Sequence, residues 1–296
     1  MSDTIIQSAP VWAKPTSRYS DLFNRALILI ALGALLVFIL LPIFWMLKSS
    51  FQSTSEVHAI PPSWWAANPS FEPYVIANKI VPLLKYIWNS IFVSASAAIL
   101  AGIISCMAAY VLARFRFPGA TLILVTILLT QLIPPITRVF PVYFLIQNLG
   151  LLDSYSGLIL AYTGFSVPYA VLLLRGYFQS SVPAELEEAA MMDGCTYFGA
   201  FVRVILPICL PGIAAVTIFT FLLAWNDFLW ASLLLSSGDA KTIQVGIGGF
   251  AGEGGGGRYP NAFMAACVAS TIPALIMFFF VQKWLVGGLT AGAVKS

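Results

Sequence analysis

This sequence carries little charge. Charged side chains make up 9% of its 296 residues, against about 25% in a soluble globular chain. So few charges cannot clothe a water-facing surface, which excludes a soluble enzyme and a disordered protein. Net charge is only +3 and no run of Lys or Arg forms a basic stripe, so nucleic-acid binding is excluded as well. Histidine is scarcer still. His58 stands alone in a polar stretch between Glu56 and Pro61, which removes His-pair metal sites. There is no HExxH, and Gly164-Phe165-Ser166-Val167-Pro168 lacks the second glycine of a nucleophile elbow. The cysteines Cys106, Cys195, Cys209 and Cys267 form no CxxC pair, so neither a disulfide framework nor a thiolate zinc site is expected. The glycine run 254–257 is not followed by Gly-Lys-Ser/Thr, so it is no phosphate loop. The chain is expected to hold no metal and no catalytic residue, and not to hydrolyse ATP itself.

What the sequence has is apolar length. Hydrophobic residues are 59% of the chain and mean hydropathy is +0.90. A membrane-crossing helix needs about 20 such residues. Six stretches qualify: 26–47, 88–113, 120–140, 155–174, 208–235 and 262–286. The third carries Pro134-Pro135, and the fourth is read as stopped by Arg175. The first is longer than the 7–15 apolar residues of a signal peptide and begins well inside the chain. Residues 1–24 read as a polar cytoplasmic tail, 25–286 as the six-helix domain and 287–296 as a cytoplasmic tail. With the N-terminus inside, inner segments hold nine Lys and Arg against six outside, a bias of the positive-inside kind. The even number of spans returns both termini to the cytoplasm. Two long outer loops follow, 49–86 with Trp64-Trp65 suited to the membrane interface, and 236–261, read as a flexible connector.

The water-soluble island at 180–207 is the most informative segment. Pro183 suits a helix first turn, and Glu185, Glu187 and Glu188 sit at the positive end of its dipole. Leu186, Ala189 and Ala190 share one face, which Asp193 continues. Gly194 ends the helix, Thr196 can cap a second one, and Leu206-Pro207 leads into the fifth span. One reading is a surface helix on lipid headgroups; three glutamates disfavour it, because anionic lipids repel them. The other is a lever inserted in a groove of a soluble partner.

Glu188-Ala189-Ala190, three residues, Gly194, nine residues, Val204, one residue and Leu206-Pro207 resemble the EAA motif of ABC-importer permeases, which prefers Ile where Val204 stands. The segments 113–119, 133–135, 150–153, 225–228 and 288–295 resemble the carbohydrate, maltose-type branch. The resemblance implies an all-α membrane protein of six transmembrane helices with a cytoplasmic coupling helix between the fourth and fifth, in a bacterial inner membrane. It implies a second permease subunit, two ATP-binding subunits that use ATP and magnesium, and an extracytoplasmic solute-binding protein. Glu188, Ala189, Ala190 and Gly194 would form the coupling helix in the ATPase groove, with Glu185, Asp193, Leu206 and Pro207 completing the coupling set. Residues 288–295 would reach the ATPases or remain a flexible tail.

A sugar offers hydroxyls and an apolar ring face, so its path needs hydrogen-bonding and aromatic side chains. The fifth span supplies Thr217, Thr220, Trp225, Asn226, Asp227 and Trp230 near its outer half. Gln131, Arg138 and Gln147 are candidates for the outer mouth. Asp227 reads either as a path or gate residue or as an interfacial acid paired with a partner base; Phe219 and Phe221 read as packing or lipid-facing. Prolines 134, 135, 168 and 273 read as kinks that allow rocking between inward- and outward-open states. A stand-alone secondary transporter is the competing reading. It would show internal repeats and intramembrane ion ligands, and neither a second copy of a six-span unit nor an acid beyond Asp227 stands out.

Overall fold

A computed structural model describes residues 18–251 and 257–293. Every regular element among them is helical. Helix α1 (Arg18–Ser49) is followed by two short helices, α2 (Thr54–Val57) and α3 (Glu72–Ile80). Then come α4 (Leu83–Arg114), α5 (Ala120–Leu132), α6 (Val139–Asn148) and α7 (Tyr155–Ser181). The remainder is α8 (Ala184–Met192), α9 (Tyr197–Ala200), α10 (Leu206–Asn226), α11 (Leu229–Leu234), α12 (Ile243–Gly248) and α13 (Pro260–Ala293). Five helices are long and apolar enough to cross a membrane, or six crossings if the bent pair α5–α6 counts as one.

The expected boundaries shift in five places. Helix α1 begins at Arg18, inside the segment read as a tail. Arg175 does not end the fourth span: α7 continues to Ser181, and the Arg175 Nε–H donates to the Leu112 carbonyl at 3.1 Å. The third span is not one helix, since α5 and α6 meet at 102°. A residue before proline is driven out of the helical region, and here two stand in succession, Ile133 at ψ 119° and Pro134 at ψ 138°. The fifth span stops at Asn226, with α11 as a separate piece. At the far end α13 runs on to Ala293, past the expected limit of the sixth span; residues 1–17, 252–256 and 294–296 lie outside the described residues, as do the side chains of 288–293.

Helix α4 organises the bundle. Its 32 residues span about 48 Å at 1.5 Å per residue, more than the roughly 30 Å of hydrocarbon, so its two ends emerge from lipid. It packs mainly on α7 and α10. Between Ser94 and Ala109 its buried face is made of small residues, among them Ala97, Ala98, Ala101, Gly102 and Ser105. Lipid supplies no hydrophobic drive between helices, so close backbone approach supplies the contact energy instead. At Gly102 a Cβ would stand 2.8 Å from Thr217 Oγ1 of α10.

The bundle has two distinct ends. At one, the 49–86 and 236–261 segments pack together around Ala77, Val81, Tyr86, Ile243, Phe250 and Ala262. Asn89 donates to the carbonyls of Asp239 (3.0 Å) and Lys241 (2.9 Å), and Ser90 Oγ accepts from the Ile243 N–H at 2.8 Å. Described parts of the 236–261 connector are therefore anchored. Trp64 and Trp65 pack edge-on against Trp45 and Phe44 of α1. The opposite end carries α8 and α9.

Candidate functional site

Helix α8 is delimited by its sequence. Pro183 precedes it as N-cap, and its C-terminus closes in a Schellman arrangement. The Cys195 N–H donates to the Ala190 carbonyl and the Gly194 N–H to the Met191 carbonyl, both at 3.0 Å, with Gly194 at φ +87°. Only a residue without a Cβ takes that conformation freely. Thr196 then caps α9, its Oγ1 accepting from the Gly199 N–H at 3.1 Å. A π-helical turn at Phe201–Ile205 joins α9 to α10, and Pro207 sits in the first turn of α10.

The buried face of α8 differs from the one the spacing suggested. Glu187 and Ala190 face inward, whereas Leu186, Glu188, Ala189 and Asp193 are exposed, as is Glu185. Glu187 accepts a short hydrogen bond from the Tyr110 hydroxyl of α4. Its Oε2 lies 3.1 Å from Arg114 Nε, with side chains only 7% and 13% exposed. Arg114 Nη2 also donates to the Val182 carbonyl at 2.7 Å. Around this pair Tyr110 packs on Phe201 at 4.6 Å, on Phe115 and on Phe178. The end of α4, the end of α7 and the root of α8 are thereby tied into one body, leaving the opposite α8 face bare.

Towards the other end of the bundle lies a cavity of about 390 Å³, lined among others by Gln131, Arg138, Tyr162, Phe165, Asp227 and Trp230. The break between α5 and α6 places Arg138 here, in the 3-10 turn Pro135–Arg138. Non-helical backbone at membrane depth is tolerated where it lines a cavity or is buried in protein. Asp227, in extended conformation after α10, uses one oxygen three times. Oδ2 accepts from the Tyr162 hydroxyl at 2.8 Å and from the N–H groups of Trp230 and Ala231 at 3.0 Å each. It thus caps α11 and pins it to α7. Trp230 and Phe165 pack at 4.6 Å, and Tyr169 and Phe219 at 4.7 Å. Hydrogen-bonding groups beside aromatic faces are what a sugar requires.

Of the six residues expected along a substrate path, Gln131, Asp227 and Trp230 line this cavity. Trp225 is buried and stacks on Phe221 in the core, turned away from Asp227 by two residues of helix; Thr220 is buried too, and neither lines the cavity. Asn226 is exposed in a shallow neighbouring hollow, its Nδ2 donating to the Leu222 carbonyl at 2.8 Å. Phe219, read as a packing residue, faces the cavity. Gln147 is exposed elsewhere on α6. Within this chain Asp227 Oδ2 meets three neutral donors and, among the described residues, no cation. Among the described residues no cluster of His, Cys, Asp and Glu could hold a metal.

Residues 98–290 match the family described as binding-protein-dependent transport system inner membrane component. The chain belongs to that family. It is 36% identical over 274 residues to the sulfoquinovosyl glycerol transport system permease protein SmoH of Agrobacterium fabrum, covering 92% of this chain and 95% of that protein. It is also 36% identical over 262 residues to the diacetylchitobiose uptake system permease protein NgcG of Streptomyces coelicolor, covering 88% of this chain and 85% of the other. A bacterial ABC transporter involved in alginate import shares the fold at a TM-score of 0.80 and 24% identity, over 91% of this chain and 99% of that one. The chain is therefore a multi-pass ABC permease. Within this permease, sequence reasoning passed over Glu187 and Tyr162. Glu187 had no local mark: adjacent residues on a helix differ by 100°, so either glutamate could face out, and the partner Arg114 lies 73 positions away. Tyr162 stands in an apolar helix with nothing in its local pattern to mark it.

Proposed function

We propose that this chain is the membrane-spanning permease subunit of an ATP-driven importer that moves a carbohydrate into the cell. The observation that carries this reading is the cavity, where Gln131, Tyr162 and Asp227 stand beside the Trp230–Phe165 pair. Polar groups and aromatic faces converging in one hollow match the two faces of a sugar ring. The carbohydrates for which the relatives in Agrobacterium and Streptomyces are named support it. In this reading a second permease subunit and two ATPases complete the transporter, and a solute-binding protein delivers cargo from outside. ATP and magnesium act in the ATPase subunits.

The bare face of α8, with Glu188, Ala189 and Asp193, enters the ATPase groove, and Glu188 makes the polar contact. Glu185 flanks it, Gly194 permits the exit turn, and Leu206-Pro207 joins the lever to α10. The α8 end is cytoplasmic and both termini lie on that side, consistent with the excess of Lys and Arg in those segments. Closure of the ATPases displaces α8; the Glu187–Arg114 pair passes the motion to α4, and the Asp227–Tyr162 bond keeps α7 and α11 together as the cavity changes its opening. Residues 287–296 follow α8 on the cytoplasmic side. Purification of the tagged chain from its native membrane tests the reading: an ATPase subunit co-elutes, and Glu188→Lys lowers its yield. A chain that purifies alone and takes up solute on a proton or sodium gradient would instead be a secondary transporter.

A further inference from the structure

Among the described residues Arg138 is the one cation that lines the cavity, and none of them pairs with it. Its Nε is buried and has no hydrogen-bond partner. The ion pairs among the described residues are Lys85–Asp239 and Arg114–Glu187, neither involving it. Its described contact is the face of Phe165, 5.3 Å from the guanidinium carbon. A cation at membrane depth is costly without a partner, and an aromatic face satisfies none of the five N–H donors of a guanidinium. The cavity does hold a carboxylate, but Asp227 forms no ion pair with Arg138; its Oδ2 takes three donors from Tyr162, Trp230 and Ala231 instead. Neither charge is in an ion pair among the described residues, but Asp227 Oδ2 is held by neutral donors of this chain, whereas the buried Arg138 Nε meets no acceptor. The guanidinium fork matches a planar or tripodal oxyanion, and its neighbours Phe165 and Trp230 offer the flat apolar surface on which a sugar ring lies.

Given the carbohydrate-import reading, the geometry points to an acidic sugar as the cargo: one whose oxyanion, a carboxylate, sulfate or phosphate, is held by Arg138 while its ring lies against Trp230 and Phe165. Arg138 is then the residue that sets the charge preference of the path.

The test uses the complete importer in lipid nanodiscs and measures equilibrium binding of radiolabelled sugars in matched pairs. The pairs are glucose with glucuronate, galactose with galacturonate, and glucose with its 6-sulfate and its 6-phosphate. At least one acidic member binds about tenfold or more tightly than its neutral partner, as a charge-assisted hydrogen bond implies, and the preference weakens with salt. Which acid wins separates carboxylate from sulfate and phosphate. In Arg138→Gln the acidic sugar falls to the affinity of the neutral one, whereas Arg138→Lys, which keeps charge but loses the fork, lies between; the lysine variant decides the matter if the glutamine variant does not fold. Equal binding of neutral and acidic members, or an acid preference that survives Arg138→Gln, overturns the role of Arg138 and leaves carbohydrate import standing. Binding of no sugar of either charge overturns both.

Discussion

At the scale of single residues, the buried acids are held by geometry rather than by solvent. Glu187 meets a tyrosine hydroxyl and an arginine in a site from which water is nearly excluded. Removing one partner of such a pair costs about 3–5 kcal/mol, because the other charge is stranded. Glu187→Ala is expected to lower stability by that order and Glu187→Gln by less, since an amide still accepts from Tyr110. Thermal unfolding of the purified chain measures both, and an unchanged midpoint in the alanine variant would count against the clamp. Asp153 works in water. At φ +57° it accepts from the Ser236 N–H at 3.0 Å and the Ser237 N–H at 2.8 Å, chiefly the Ser237 bond holding its carboxyl below the usual value of 3.8. A depressed value in the folded chain means the tie is fully present above 3.8 and is lost as pH falls through the lower folded value. Hydrogen-exchange protection at Ser236 and Ser237 should therefore persist in mildly acid buffer, and loss of it near neutrality would contradict the bond.

At the scale of elements, α8 depends on how it ends. A Cβ at Gly194 would meet nothing within 4 Å, so any penalty there is torsional. Placing an L side chain in the left-handed region costs roughly 1–2 kcal/mol, and most for a β-branched one. Gly194→Val should insert into the membrane yet lose most uptake, while Gly194→Asn, which tolerates the left-handed turn, retains most of it. Equal uptake by wild type and the valine variant would separate the turn from coupling. The α5–α6 break shows how backbone chemistry makes a site. Consecutive prolines deny both the donors and the torsions that a straight span needs, and the resulting corner turns Arg138 into the bundle rather than out to lipid.

At the scale of the whole molecule, the surface is that of a protein solvated by lipid. In its most apolar 18-residue window α1 buries nothing against the rest of the chain, and Phe38 is 78% exposed. Such a helix is stable only where hydrocarbon or another apolar helix covers it. The two ends differ in kind, one built of anchored loops and the other of a short helix with a bare face. In a cysteine-free background, a membrane-impermeant maleimide added outside intact cells should label a cysteine at Asp239 and spare one at Met192 and one at Phe38. Labelling at Met192 in intact cells would invert the topology.

The apolar runs, the prolines and the Gly194 turn were readable in order along the chain because each acts through its immediate neighbours. The apolar stretches, the short polar helix and its end all follow from local composition, spacing and backbone torsion. The partnerships were not readable. Glu187 with Arg114 spans 73 positions, and Tyr162 with Asp227 spans 65; neither pair shares an element, so no local pattern marks it. The same limit explains Trp225 and Phe219, which look alike in an apolar run but are sent by the rotation of α10 to the core and to the cavity. Sequence alone determined that this protein lives in lipid and carries a short polar helix between apolar ones, since hydropathy and chain stiffness are local. Tertiary packing alone decided which charges pair and which face the hollow, since Coulomb and hydrogen-bond partners are chosen by distance in space.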